Sequence, residues 1–289
     1  MIIYNRTASR TLSFAASLSD PTKVSPAASL AEVASADIIL TCIADDAAMK
    51  TTIQEILPYC TGKKLFIDCS TIHPKTTEEI AELITKTREG GRFEFVAMPV
   101  FGAPAMADAG QLVCVPAGPT SSVDKALPFA RAVGRSVINL GGQPYSSSST
   151  LKIIGNTFIL NMVNQLAEGH VLAETTGLGS ANLQKFIEAM LPGAYSAYSQ
   201  RMTSGDYYTR PEPLFAVDLA IKDASHALSL GKEAGSDTSK TMANTTTGLE
   251  RLKRVKEKAG ENGDLPGVYG VVREAAGLPF GNQLGRTEP

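Results

Sequence analysis

Lys152 and Asn156 stand four residues apart in the segment 147–176, which opens Ser-Ser-Ser-Thr-Leu-Lys-Ile-Ile-Gly-Asn-Thr-Phe and runs on, mostly apolar, to Gly177. At the helical repeat, residues four apart share a face. Ile154, Phe158, Leu166 and Leu172 leave this helix little polar surface, which predicts burial between layers or domains. The serines before it and Gly177 after it are start and stop signals. An amine and an amide on so apolar a helix are costly to bury unless each has a partner. On residue type alone two readings stand. In one the pair is turned to a reacting group; in the other the Lys snorkels at a helix end while the Asn bonds a nearby loop.

The elements that must position this pair come before it. Residues 1–4, 36–43, 64–69, 93–98, 110–115 and 136–140 read as apolar strands. Helical patterns fall between them at 9–18, 29–34, 45–56, 74–86 and 121–133. Apolar strands alternating with helices predict an α/β fold built on a parallel, doubly wound sheet. Such sheets bind ligands at the carboxyl ends of their strands. Three strand ends carry polar residues there: Asn5-Arg6-Thr7, then Ala44-Asp45-Asp46 after Ile43, then Asp68-Cys-Ser70-Thr71-Ile-His-Pro74. Taken singly, an N-cap or a turn is the safer reading of each. At the ribose end of a dinucleotide fold an acid binds the 2′-hydroxyl, whereas an Arg accommodates a 2′-phosphate. No G-x-G-x-x-G turn precedes Tyr4 to receive a pyrophosphate. The expectation is therefore an N-terminally incomplete sheet in a chain that begins late: residues 1–4 are its second strand, and the central strand, glycine turn and first helix are missing.

Beyond residue 150 the strand patterns stop and helical ones fill 182–190, 215–234, 240–260 and 268–276. The expected division is a Rossmann-like domain over 1–145 and an all-α domain over 146–289. Tyr207-Tyr-Thr-Arg-Pro211 reads as a surface loop, and the polar tail after Phe280 as frayed.

Composition narrows the function classes. The 289 residues carry a net charge of −2, so no global field favours nucleic acid or an anionic membrane. No run of 18 apolar residues and no signal peptide is present, which points to a cytoplasmic protein. Cys42, Cys60, Cys69 and Cys114 form no C-x-x-C pair and lie among apolar residues, as reduced small hydrophobes do. No metal-ligand spacing occurs among the three scattered histidines.

In order along the chain, the motifs resemble those of the β-hydroxyacid dehydrogenase family, the relatives of 6-phosphogluconate dehydrogenase and 3-hydroxyisobutyrate dehydrogenase. Tyr4-Asn5-Arg6-Thr7 looks like its Y-N-R-T turn, and Asp68-Cys-Ser70-Thr71-Ile-His-Pro74 like its D-x-S-T-x-x-P. Met98-Pro-Val-Phe101-Gly102-Ala103 is similar to A-P-V-S-G-G, and Ala107-Asp-Ala-Gly110-Gln-Leu112 to A-x-x-G-x-L. Lys152 to Asn156 matches K-x-x-x-N, and Lys222-Asp223 the K-D-L helix. Each tag is weak alone, and their order and spacing make them strong together.

The resemblance implies an NAD(P)-dependent dehydrogenase or reductase acting on a small hydroxyacid or related carbonyl. It implies Lys152 as acid/base and Asn156 as the residue that orients substrate. Asn5, Arg6, Thr7, Ile43, Ala44, Ser70, Thr71 and Lys222 would meet the cofactor, NADP rather than NAD. Phe101, Gly102, Ala103, Lys152, Asn156 and Asp223 would meet the substrate. A homodimer is implied by analogy. Two departures touch the substrate: Phe101 puts a ring where the family has a hydroxyl, and Ala103 adds a Cβ in place of a Gly. A third, Ser146-Ser-Ser-Ser149, replaces a Gly-rich hinge. The alternatives are a non-catalytic or cofactor-impaired relative serving as an interaction module, and an imine-reductase-like enzyme.

Overall fold

The computed structural model describes residues 1–87 and 93–282. The end of the tail expected to fray lies outside the described residues. The chain divides into two compact units, Met1–Lys152 and Ile153–Pro289. The division falls inside a helix.

The first unit alternates strands and helices. In order they are β1 Ile2–Ile3, α1 Ala8–Ser17, β2 Ser25–Pro26, α2 Leu30–Val33, β3 Ile38–Thr41, α3 Asp46–Ile56, β4 Lys64–Asp68, α4 Pro74–Lys86, β5 Phe93–Ala97, β6 Val100–Phe101, α5 Pro104–Asp108, β7 Leu112–Cys114, β8 Ala117–Gly118, α6 Thr120–Val133, β9 Gly134–Val137 and β10 Leu140–Gly141. The main sheet runs β10-β8-β5-β4-β3. Its pairs are parallel except β5 with β8, which meet antiparallel at Ala97 and Ala117. A smaller sheet, β6-β7-β9, holds the segment around Phe101.

Side chains alternate across the central strands, as the pleat requires. Phe66 of β4 packs with Met49 and Ile53 of α3 and Ile80 of α4. Its neighbours Leu65 and Ile67 face the other way, onto Val123, Ala126 and Ala130 of α6. Helices thus cover both faces of β4 and β5, the arrangement expected of buried parallel strands.

At β3 the covering fails on one side. Ile39 is buried with α3, but Ile38 and Leu40, the partners of Leu65 and Ile67, are 36% and 51% exposed. No strand among the described residues pairs with the outer edge of β3, and β1 and β2 form a parallel pair of their own. The edge strand is therefore apolar and open.

The second unit is helical. The helices are α7 Ser146–Thr175, which begins in the first unit, α8 Ser180–Met190, α9 Ala194–Thr203, α10 Asp206–Thr209, α11 Val217–Glu233, α12 Thr238–Thr241, α13 Ala243–Ala259 and α14 Val268–Ala275. Its core joins Val163, Leu166 and Val171 of α7 to Ala220 of α11, Leu252 of α13 and Tyr269 of α14. Two expectations need correction here. Tyr207 is not in a surface loop: it sits in α10, 3% exposed, with its ring against those of Tyr208, Tyr269 and Phe280. Nor is α7 buried all round, since Ile154, Phe158 and Leu172 are exposed. Among the described residues no helix is long and apolar enough to cross a membrane, and no cluster of three His, Cys, Asp or Glu side chains is placed to hold a metal.

Candidate active site

In the first unit the strand ends are tied together by one carboxylate. Asp68, last in β4, accepts from the Thr41 hydroxyl at the end of β3 (2.8 Å), the Ser70 hydroxyl (2.6 Å) and the Ser70 amide (3.1 Å). The Ser70 oxygen in turn accepts from the Ile43 amide at 2.8 Å. Asp68 and Ser70 are both buried, and burial pushes the Asp68 carboxyl above its usual range against the pull of these hydrogen bonds. The Ser70 hydroxyl and the Ile43 amide are therefore engaged with each other as a brace between strand ends. Ala44 lies in the connection to α3, whose N-terminus is capped by Asp45 accepting from the Ala48 amide at 2.8 Å. Thr71 lies in the β4–α4 connection, half-buried.

The Asn5-Arg6-Thr7 turn is exposed throughout. The Asn5 side-chain oxygen accepts from the Thr7 amide at 2.8 Å, a local turn that leads into α1. No side chain caps α1, and Arg6 is exposed in the turn that precedes it.

Lys152 is placed by its own helix. The serine run that opens α7 is fastened to the sheet and to α4. The Ser146 amide donates to Glu78 (2.8 Å), the Ser148 hydroxyl to the Ala97 and Tyr145 carbonyls (3.3 and 3.0 Å), and the Ser149 and Thr77 hydroxyls lie 2.6 Å apart. The sequence marks these serines as a helix start and as a replacement for a Gly-rich hinge, and the anchors themselves join residues too far apart in the chain to be read there. Lys152 follows one turn after Ser148. It is only 8% exposed, and its Nζ lies 4.4 Å from the centroid of the Phe101 ring. Its charge also reaches the thiol of Cys42, just past β3. Burial and then Asp68 push that thiol up, and Lys152 pulls it down. The amine therefore sits near the carboxyl ends of the strands.

Phe101 ends β6 and is held in register opposite Val113 of β7. Gly102 follows with φ +143°, and a Cβ there would stand 2.5 Å from Leu112 Cδ2. Ala103 precedes α5 without a side-chain cap.

In the second unit, Asn156 of α7 is buried and its amide donates to Asp223 Oδ2 at 2.6 Å. Lys222 pairs with the other oxygen of that carboxylate at 2.9 Å. Asn156, Asp223 and Lys222 thus form one connected group, with the buried carboxylate between a cation and an amide. Elsewhere in this unit a cavity of about 590 Å³, lined by Phe158, Asn161, Asn164, Gln165 and Arg251 among others, contains none of the expected cofactor or substrate residues.

Residues 1–142 match the family model described as the NAD binding domain of 6-phosphogluconate dehydrogenase. Across 97% of this chain and 92% of the relative, the sequence is 32% identical to an NADH-dependent oxidoreductase, ucdB, of Aspergillus ustus. A solved 3-hydroxyisobutyrate dehydrogenase of Mycobacterium tuberculosis, with L-serine, shares the fold. Its TM-score is 0.74 at 20% identity, over 93% of this chain and 89% of that one. A structure named Psf3, in complex with NADP+ and 2-OPP, superposes with TM-score 0.78 at 17% identity, over 94% and 92% of the two chains. A Rossmann-like unit followed by an all-α unit, with these relatives, defines an NAD(P)-dependent oxidoreductase. The chain belongs to the β-hydroxyacid dehydrogenase family.

Proposed function

We propose that this protein moves a hydride between NADP and a small hydroxyacid or related carbonyl, with Lys152 as the acid/base. The observation that carries this reading is the buried Lys152 amine near the strand ends, on the helix that also bears Asn156 one turn further on. The nicotinamide supplies the hydride acceptor or donor when bound. The chain's own task is to manage the proton on the substrate oxygen. In reduction, Lys152 Nζ gives a proton to the oxygen that becomes the hydroxyl, and in oxidation it takes that proton back. The Asn156 amide, held by Asp223, can orient the substrate without competing for the proton. An imine-reductase-like reaction would make less use of an amine at this position.

For the cofactor, the adenosine end fits best. An Arg and uncapped helix amides at the Asn5-Arg6-Thr7 turn suit a 2′-phosphate, and no acid stands there to hold a 2′-hydroxyl. The relative from A. ustus is named for NADH, which makes the choice between the two cofactors worth measuring directly. No glycine-rich turn is present among the first strands for the pyrophosphate. We further read the exposed apolar residues of the helical unit, Ile154 and Phe158 on α7 with Phe186 and Met190 on α8, as contact surface of a homodimer.

Replacing Lys152 by Ala tests the catalytic reading. NADP+ reduction, followed with 3-hydroxyisobutyrate first and then other small hydroxyacids, should fall on the order of 10²-fold or more, as on loss of a general acid/base, while the circular dichroism spectrum stays that of the parent. Unchanged turnover would remove Lys152 from the chemistry.

A further inference from the structure

A buried ammonium needs a partner that stabilises its charge, and Lys152 finds an unusual one. Its Nζ lies over the face of Phe101 at 4.4 Å from the ring centroid, well inside the distance at which an aromatic quadrupole attracts a cation. The ring is held where it is. On its own strand the β6–β7 pairing fixes the backbone of Val100 and Phe101 opposite Cys114 and Val113. On the next residue, Gly102 takes a left-handed conformation against Leu112 and Met106 that leaves no room for a side chain. The lysine is held equally from its side, by the Ser148 and Ser149 anchors of α7. Two rigid elements from distant parts of the chain thus bring one ring and one amine together. At this place the loop offers the substrate no side-chain hydroxyl.

We propose that Phe101 is a positioning residue for Lys152: its ring face holds the ammonium near the strand ends by a cation–π contact, so this loop serves the proton transfer through the lysine and not through a polar group of its own. An aromatic face attracts the cation and not the neutral amine. The proposal rests on Lys152 being the acid/base, and its test separates the two.

The first readout does not depend on turnover. Lysines are reductively methylated with ¹³C, and the Lys152 signal is identified by its loss in Lys152→Ala. That signal should lie upfield in the parent because of the ring, keep its displacement in Phe101→Tyr, and lose it in Phe101→Leu, which retains apolar bulk without a ring. A Lys152 signal at the same position in the parent and in Phe101→Leu would overturn the proposal.

The second readout is steady-state kinetics with NADPH and the oxidised form of 3-hydroxyisobutyrate. Phe101→Leu should lower kcat by about 3- to 30-fold with KM little changed, the range a partly to fully desolvated cation–π contact spans, and Phe101→Tyr should restore it. If Phe101→Tyr is as slow as Phe101→Leu, or Phe101→Leu is as fast as the parent, the ring face is not what positions the amine. If Lys152→Ala itself turns over normally, the acid/base reading fails, whatever the spectra show of the contact.

Discussion

At the scale of single residues, the helical unit contains a histidine whose charge state couples folding to pH. His170 of α7 is fully buried, with Nε2 2.7 Å from the Ser199 hydroxyl and its ring edge-on to Tyr269. Burial depresses its pKa from 6.5 to about 4, with Glu174 opposing. The folded protein therefore keeps this ring neutral where an unfolded chain would protonate it. Above about pH 6.5 the group contributes its full share of stability. As pH falls from there towards 4, the unfolded state gains a proton that the folded state does not, and stability drops by up to roughly 3 kcal/mol. Urea denaturation at pH 7 and pH 4.5 should show this loss, and His170→Gln should flatten it. A parent and variant with equal slopes against pH would place the acid sensitivity elsewhere.

At the scale of elements, the loop from β6 to α5 shows how little freedom surrounds the Phe101 ring. Gly102→Ala would put a Cβ 2.5 Å from Leu112 Cδ2 in a backbone conformation that L-residues rarely adopt. A destabilisation of about 1–3 kcal/mol is expected from strain and overpacking together, measurable as a lowered urea midpoint at unchanged m-value. A variant as stable as the parent would mean that the loop can take a second path.

The elements differ in how plainly the sequence announces them. Strands β4 and β5 and helices α3, α4 and α6 were legible because continuous apolar runs and helical spacing survive without knowledge of neighbours. The Asp45 cap was legible for the same local reason. The two-residue strands β6, β8 and β10 have no period to detect. Tyr207 was misread because Tyr-Tyr-Thr-Arg-Pro looks like a loop, whereas its burial depends on Tyr269 and Phe280, far along the chain. The outward turn of Ile154 and Phe158 could not be read from a helix this uniformly apolar. Of the candidate site, the residue types and their order were legible by family likeness. The contacts were not: Lys152 against Phe101, the Asp68 brace, and Asp223 between Asn156 and Lys222 each join residues distant in sequence.

At the scale of the whole molecule, each unit keeps apolar surface in the open. On the first it is the edge of β3, with Ile38 and Leu40 exposed, a feature that natural sheets usually cover or guard with charge. On the second it is the helical face around Phe158, itself 72% exposed. If that face is the dimer contact, Phe158→Asp should shift sedimentation velocity from dimer to monomer while the helical spectrum is kept. A parent that sediments as a monomer would contradict the reading.

The central claim is that this chain binds NADP and uses it. Titration calorimetry of the 289-residue protein with NADPH, and with NADH as control, tests it most directly. The account predicts micromolar binding of NADPH and distinctly weaker binding of NADH, with the difference removed in Arg6→Ala. A folded sample that binds neither nucleotide would contradict the account, and equal affinity for both would remove Arg6 from the 2′-phosphate.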